Sequence, residues 1–190
     1  MSNINEILVR EFFEMYGFVV KANRKFVPKG KASKRGVDFF IINFNPNQNK
    51  ESEAFVLDGE SAKSVQSAVI RIEPWHTDKF YPSVINKDEG LLDFLNPENL
   101  KEAQKILKTS DFKKILVISN LPVNKEMREK SEKILKQKGI DYLLTFPTIL
   151  SWLVKTIKSN KNYYSDELEL LRILKHYKLF KKSQLELFKK

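Results

Sequence analysis

Residues 113–150 read KKILVISNLPVNKEMREKSEKILKQKGIDYLLTFPTIL, and this stretch decides the fold class. Ile115 to Ser119 is a short apolar run with strand character. Lys125 to Lys138 is charged and amphipathic, and Gly139 ends it as a helix stop. Asp141 to Phe146 is a second strand, and Pro147 opens a helix running to about Lys158. Strands that alternate with helices imply a mixed sheet covered by helices.

The same grammar extends in both directions. Upstream, Asn96-Pro97-Glu98 looks like an N-cap with proline at the first helical position, leading a helix to about Lys108. Ser67 to Glu73 (SAVIRIE) is a strand ended by Pro74. Phe55 to Leu57 is a short strand or part of a loop, after the polar turn NPNQNKESE. Val37 to Phe44 (VDFFIINF) is a continuous apolar run, expected as a strand buried on both faces. The basic loop VPKGKASKRG precedes it, and Phe18 to Ala22 is a further strand. Residues 4 to 16 form a helix by the spacing of Ile4, Leu8, Phe12 and Met15, with Gly17 as its stop. Downstream, Ser165 caps a last helix with Leu168, Leu171, Leu174 and Tyr177 on one side. The expected organisation is an α/β core over residues 1–160. Residues 161–190 would be a C-terminal helical extension packed on it, with a basic tail.

The chain has 190 residues, 42% of them apolar, which suits one domain with a real core. No apolar run approaches the roughly 20 residues of a membrane helix. The N-terminus MSNINEILVR lacks a basic region followed by an apolar stretch, so no signal peptide is expected. The absence of cysteine excludes disulfides and thiolate metal sites and fits a cytoplasmic location. The net charge is +10. Residues 21–35 hold Lys21, Arg24, Lys25, Lys29, Lys31, Lys34 and Arg35 with no acid among them. Such clusters attract polyanions by counterion release, although lysine used for solubility gives the same composition.

Asp38 and Glu73 are the sharpest chemical signals. A carboxylate at the entrance of a buried strand is expensive unless it is paired, hydrogen-bonded or metal-bound. Glu73 stands at the exit of a second apolar strand. If the strands are neighbours, both acids converge and can offer hard oxygen ligands to Mg²⁺ or Mn²⁺. Structural roles compete: Asp38 as a strand cap or partner of Arg35, Glu73 as a partner of Arg71. Arg71 shares a strand face with Glu73, where it either holds phosphate and water or serves as the counter-charge. Glu6, Glu11 and Glu14 lie on the first helix. At 100° per residue Glu11 falls in the apolar arc, Glu6 toward its edge, and Glu14 points away.

Trp75, His76, Lys79, Phe80 and Tyr81 follow directly on Glu73. Aromatics beside cations can stack on bases, and His76 can shuttle a proton or contact phosphate. Equally, Trp75 and Phe80 can pack the loop. Trp75, Phe80 and Tyr81 can also anchor a protein partner. Lys25, Lys29, Lys31, Lys34, Arg35, Trp75 and Lys79 are the candidate nucleic-acid contacts. Asp58-Gly59-Glu60 is a turn-like acidic pair without a supporting pattern. There is no glycine-rich phosphate loop and no nucleophile elbow, and two histidines without cysteine make zinc a poor fit.

With these residues in view, the chain resembles the PD-(D/E)XK nuclease superfamily. EILVREFFEMYGFVVKANRKF (6–26) is similar to the opening helix and strand of Holliday-junction resolvases. RGVDFFIIN (35–43) is similar to the first acidic motif, with Asp38 in the acid position. Residues 113–150 are similar to the tail of Mrr-type nuclease domains. The resemblance implies a restriction-endonuclease-like three-layer α/β/α fold with a central mixed sheet and extra C-terminal helices. It implies DNA as partner ahead of RNA, a homodimer, and Mg²⁺ or Mn²⁺ held by Asp38, Glu73 and a helix glutamate. By distance to Gly17-Phe18 that glutamate is Glu6, whereas by helix phase it is Glu11. Catalytic roles would fall on Asp38, Glu73, Arg71 and His76. Where the family has (D/E)-x-K, this chain has Arg71-Ile72-Glu73, acid and base inverted. Two expectations therefore stand for a nuclease-like domain: metal-dependent phosphodiester hydrolysis, or binding without cleavage. A third is a protein-interaction component.

Overall fold

The computed structural model describes residues 4–23, 36–46, 54–88 and 90–180. It is a mixed α/β fold. The sheet order is β1 (Phe18–Ala22), β2 (Phe39–Asn43), β3 (Ser67–Glu73), β4 (Lys113–Ile118) and β5 (Tyr142–Thr145). The first three strands form an antiparallel meander, and β4 and β5 run parallel to β3. Parallel neighbours need crossovers. These are supplied by α2 (Pro82–Lys87) and α3 (Pro97–Leu107) between β3 and β4, and by α4 (Lys125–Gln137) between β4 and β5. The other helices are α1 (Ile4–Met15), α5 (Phe146–Thr156) and α6 (Asp166–His176).

Strand periodicity sorts the core into two faces. Phe39, Ile41, Ala68, Ile70, Ile72, Ile115, Val117 and Leu144 pack against Val9, Phe12 and Phe13 of α1, the apolar side of α5, and Leu168 of α6. Phe40, Val69, Leu116, Ile118 and Leu143 pack against Ile85, Ala103, Leu107 and Leu135 of α2, α3 and α4. Helices therefore cover both faces of the sheet, as the strands' near-continuous apolar character requires.

Local chemistry sets the boundaries. Gly17 and Gly139 take positive φ of 84° and 95°, and each follows a helix. Ser165 and Asn124 accept from backbone N–H groups three residues on and cap α6 and α4. Asn96 stands at the start of α3 without a side-chain cap hydrogen bond. Lys175 Nζ donates to the carbonyls of Val154 and Lys155, 2.7 and 3.2 Å away, and to that of Ile157. It thereby closes the C-terminal end of α5 and ties α6 to it.

One sequence expectation changes, and the structure assigns two stretches the sequence leaves open. The apolar run from Val37 does not stay buried to its end: β2 stops at Asn43 and Phe44 is 72% exposed. Residues 55–57 join the outer side of β5, with Leu143 N–H donating to Phe55 O and Leu57 N–H to Leu143 O. The stretch from Pro82 to Lys87, to which the sequence reading assigns no element, is helical; Pro82 at its first turn fixes φ where no N–H partner is needed.

Candidate functional site

The acids expected to converge do converge, and a guanidinium sits between them. Asp38 lies just before β2, opposite the end of β3. Its N–H donates to Ile70 O and its carbonyl accepts from Asn23 N–H, both at 2.8 Å. Its Oδ2 accepts from the backbone N–H of Ile72 at 2.7 Å, so the side chain continues the β2–β3 ladder where the backbone pairing ends. Arg71 and Glu73 point to one side of β3, as residues two apart must. Arg71 Nη1 lies 3.2 and 3.3 Å from the two oxygens of Asp38. Its Nε and Nη2 donate to Glu73 Oε1 at 2.9 and 2.6 Å. Nη1 also donates to Gly36 O at 3.3 Å.

The cluster is shielded from water. Side-chain exposures are 4% for Glu73, 13% for Arg71 and 23% for Asp38. Burial pushes the Asp38 carboxyl up to about 6, against the pull of Arg71 and the Ile72 N–H. Repulsion from Glu6 and Glu73 adds to the rise, which brings Glu6 of α1 into the electrostatic surroundings of the site. Charges buried this way are stable only while each keeps its partner, because an uncompensated one costs several kcal/mol.

The two helix glutamates separate. Glu6 acts on Asp38, whereas Glu11 is hydrogen-bonded to Ser165 at the start of α6, and burial raises its pKa. Helix phase picks the buried side of α1 but not the position along its axis, and α6 covers that side at Glu11. His76 is exposed and held at the rim: its Nε2–H donates to Asn5 Oδ1 at 2.8 Å, and its ring stands edge-on to Phe146 at 4.7 Å. Trp75 stacks on Phe80 with ring centroids 5.3 Å apart. Phe80 is fully buried, so Trp75, Phe80 and Tyr81 do not form one exposed anchor patch. Lys79 is half-buried. Lys25, Lys29, Lys31, Lys34 and Arg35 lie outside the described residues. The chain that carries them leaves from Asn23 and returns at Gly36, and both flanks are hydrogen-bonded at the Asp38–Arg71 cluster.

Sequence reasoning passed over Asn5, whose burial beside a helix start is unusual for an amide and marks a held polar contact. It read Gly59 only as part of an acidic turn. A Cβ there would lie 2.4 Å from the Trp152 ring and 2.5 Å from the Tyr16 hydroxyl, so the acidic turn owes its glycine to close packing.

A divalent ion shared by Asp38 and Glu73 would need carboxylate oxygens at about 2.0–2.6 Å. The guanidinium already holds both acids and brings one positive charge where such an ion would bring two. Among the described residues, no group of three or more acids or histidines is arranged to hold a metal ion. As arranged, these residues do not fit Mg²⁺ or Mn²⁺. Comparison with protein-family models, curated proteins and solved structures found no match to the chain. Among the described residues, no helix is long and apolar enough to cross a membrane.

Proposed function

We propose that this chain is a nucleic-acid-binding module of restriction-endonuclease-like architecture, in which Arg71 stands where a metal ion would bridge the two acids. The observation that carries the proposal is the guanidinium bonded to both Asp38 and Glu73 at 2.6 to 3.3 Å. The architecture is supported by an antiparallel meander followed by two parallel strands, with an acid at the start of β2 and another at the end of β3. The ligand class is supported by charge. Seven cations and no acid lie in residues 21–35, and that segment is rooted at the same sheet end. Counterion release makes such a segment a polyanion contact.

Duplex DNA is the first ligand to test, by fluorescence anisotropy across a salt series. Binding is expected to need no metal and to weaken steeply between 50 and 200 mM salt, by about 10³-fold if roughly six phosphates are neutralised. Changing Lys29, Lys31, Lys34 and Arg35 together to Gln should lower the log–log salt slope by about 4. Binding that ignores salt, or no binding to DNA or RNA, overturns the proposal and favours a protein partner. Metal-dependent hydrolysis remains the second reading, because the charges of Glu6 and Glu73 both act on Asp38. It requires Arg71 to withdraw from both acids.

A further inference from the structure

Strand β1 has two sides and the fold buries one of them. Phe18, Val20 and Ala22 pack into the core beneath α1. Val19 and Lys21 alternate to the other side, and there the helix cover has ended: Val19 is 54% exposed, and Lys21 is exposed as well. Val19 pairs with Ile42 of β2, which is half-buried at the margin of the second core face. Two residues on, just past the end of β2, Phe44 is 72% exposed. Phe40, Ile42 and Phe44 thus lead from the core out to water. Lys21 is the only charged residue in either strand, and the run of seven cations without an acid begins with it.

We propose that this face is a stacking platform for the bases of single-stranded nucleic acid, with Phe44 against a base, Val19 and Ile42 against base or sugar, and Lys21 on a phosphate. The inference rests on the nucleic-acid reading above and gives the ligand its form, which is unpaired nucleotides. An apolar surface bordered by cations matches a ligand that is apolar at its bases and anionic along its backbone. A duplex hides the faces of its bases, whereas a single strand offers base face and phosphate together. The same edge is a poor template for a peptide. β1 lies at the end of the sheet, and a short edge strand bearing a lysine discourages the addition of another strand.

The test compares three labelled ligands by fluorescence anisotropy with the full-length chain at one salt concentration. They are a thymidine strand of about 12 nucleotides, a strand of the same length without bases, and a blunt duplex. Charge alone ranks the duplex first, because its phosphates are the most densely spaced. The thymidine strand is expected to bind about 5- to 100-fold tighter than the abasic strand, the range of one stacked base. Phe44→Ala should remove most of that gap and leave the abasic strand and the duplex unchanged, whereas Phe44→Trp should keep it. Phe44 stands mostly in water, so its truncation should leave thermal unfolding unchanged, and lost affinity then reads as a lost contact. Lys21→Gln should lower the salt slope for the thymidine strand by about 0.7. Equal binding of the thymidine and abasic strands, or a gap that survives Phe44→Ala, overturns the inference and leaves the polyanion reading in place. Absence of binding to all three ligands overturns both.

Discussion

Strands β3, β4 and β5 run parallel, and Glu73, Ile118 and Thr145 stand in one row across them. The row ends differently in its two halves. At β4 and β5 neutral groups are sufficient: the Ser119 hydroxyl donates to Asp78 O at 2.9 Å, and Thr145 caps α5 through the N–H of Thr148. At β3 the same level of the sheet holds Glu73, Arg71 and, across the strand gap, Asp38. A neutral cap closes a strand without the desolvation that three buried charges incur. The sheet therefore shows on its own terms that ionised groups are not needed to finish it. The β3 end is therefore where the sheet carries its greater desolvation cost, offset by the bonds of Arg71 to both acids.

Breaking the charged half should cost most. Arg71→Ala takes from buried Asp38 and Glu73 the guanidinium that bonds both, and is expected to destabilise by about 3–5 kcal/mol in chemical denaturation. Arg71→Leu with Asp38→Asn and Glu73→Gln removes all three charges together and should cost far less than the sum of the single changes. Equal losses would mean that the cluster is not one unit.

The apolar half breaks by volume instead. Gly59→Ala drives a methyl group into Trp152 and Tyr16, and about 1–3 kcal/mol is expected from overpacking. Lys175→Met removes the donor to three carbonyls at the end of α5. A loss of about 1–2 kcal/mol is expected, with α6 exchanging its amide hydrogens before the sheet does.

The last effect is a pH dependence. The Asp38 pKa is raised in the fold, from an ordinary value of 3.8 to about 6. Between those values the folded chain binds more protons than the unfolded one, so this group's contribution falls as pH rises from about 4 to 6. Its stabilising share is complete below about 4 and lost above about 6. Asp38→Asn should remove that slope from the stability–pH curve, and an unchanged slope would assign it to another group.

Much of the fold was legible from the chain. Apolar spacing placed α1, α4, α6 and all five strands, because each buries a face whose period the sequence must carry. The short α2 was not legible, since six residues give too little periodicity to separate a helix from a loop. The end of β2 was not legible either, because Phe44 continues an apolar run that the sheet does not bury. At the site, the pairing of Asp38 with Glu73 followed from their places at a strand entrance and a strand exit. Whether the first helix brought Glu6 or Glu11 to them depended on where α6 packs, which no local pattern encodes. The spacing of Arg71 and Glu73 showed a shared face. It did not show that one guanidinium reaches across to Asp38, because that contact depends on the register of β2 against β3.

The most direct test incubates the purified wild-type chain with duplex DNA and Mn²⁺ and reads mobility shift and strand scission from the same samples. A salt-sensitive shift without scission is the predicted result. Mn²⁺-dependent scission that Asp38→Ala abolishes would contradict it, and would mean that Arg71 yields its place to a metal.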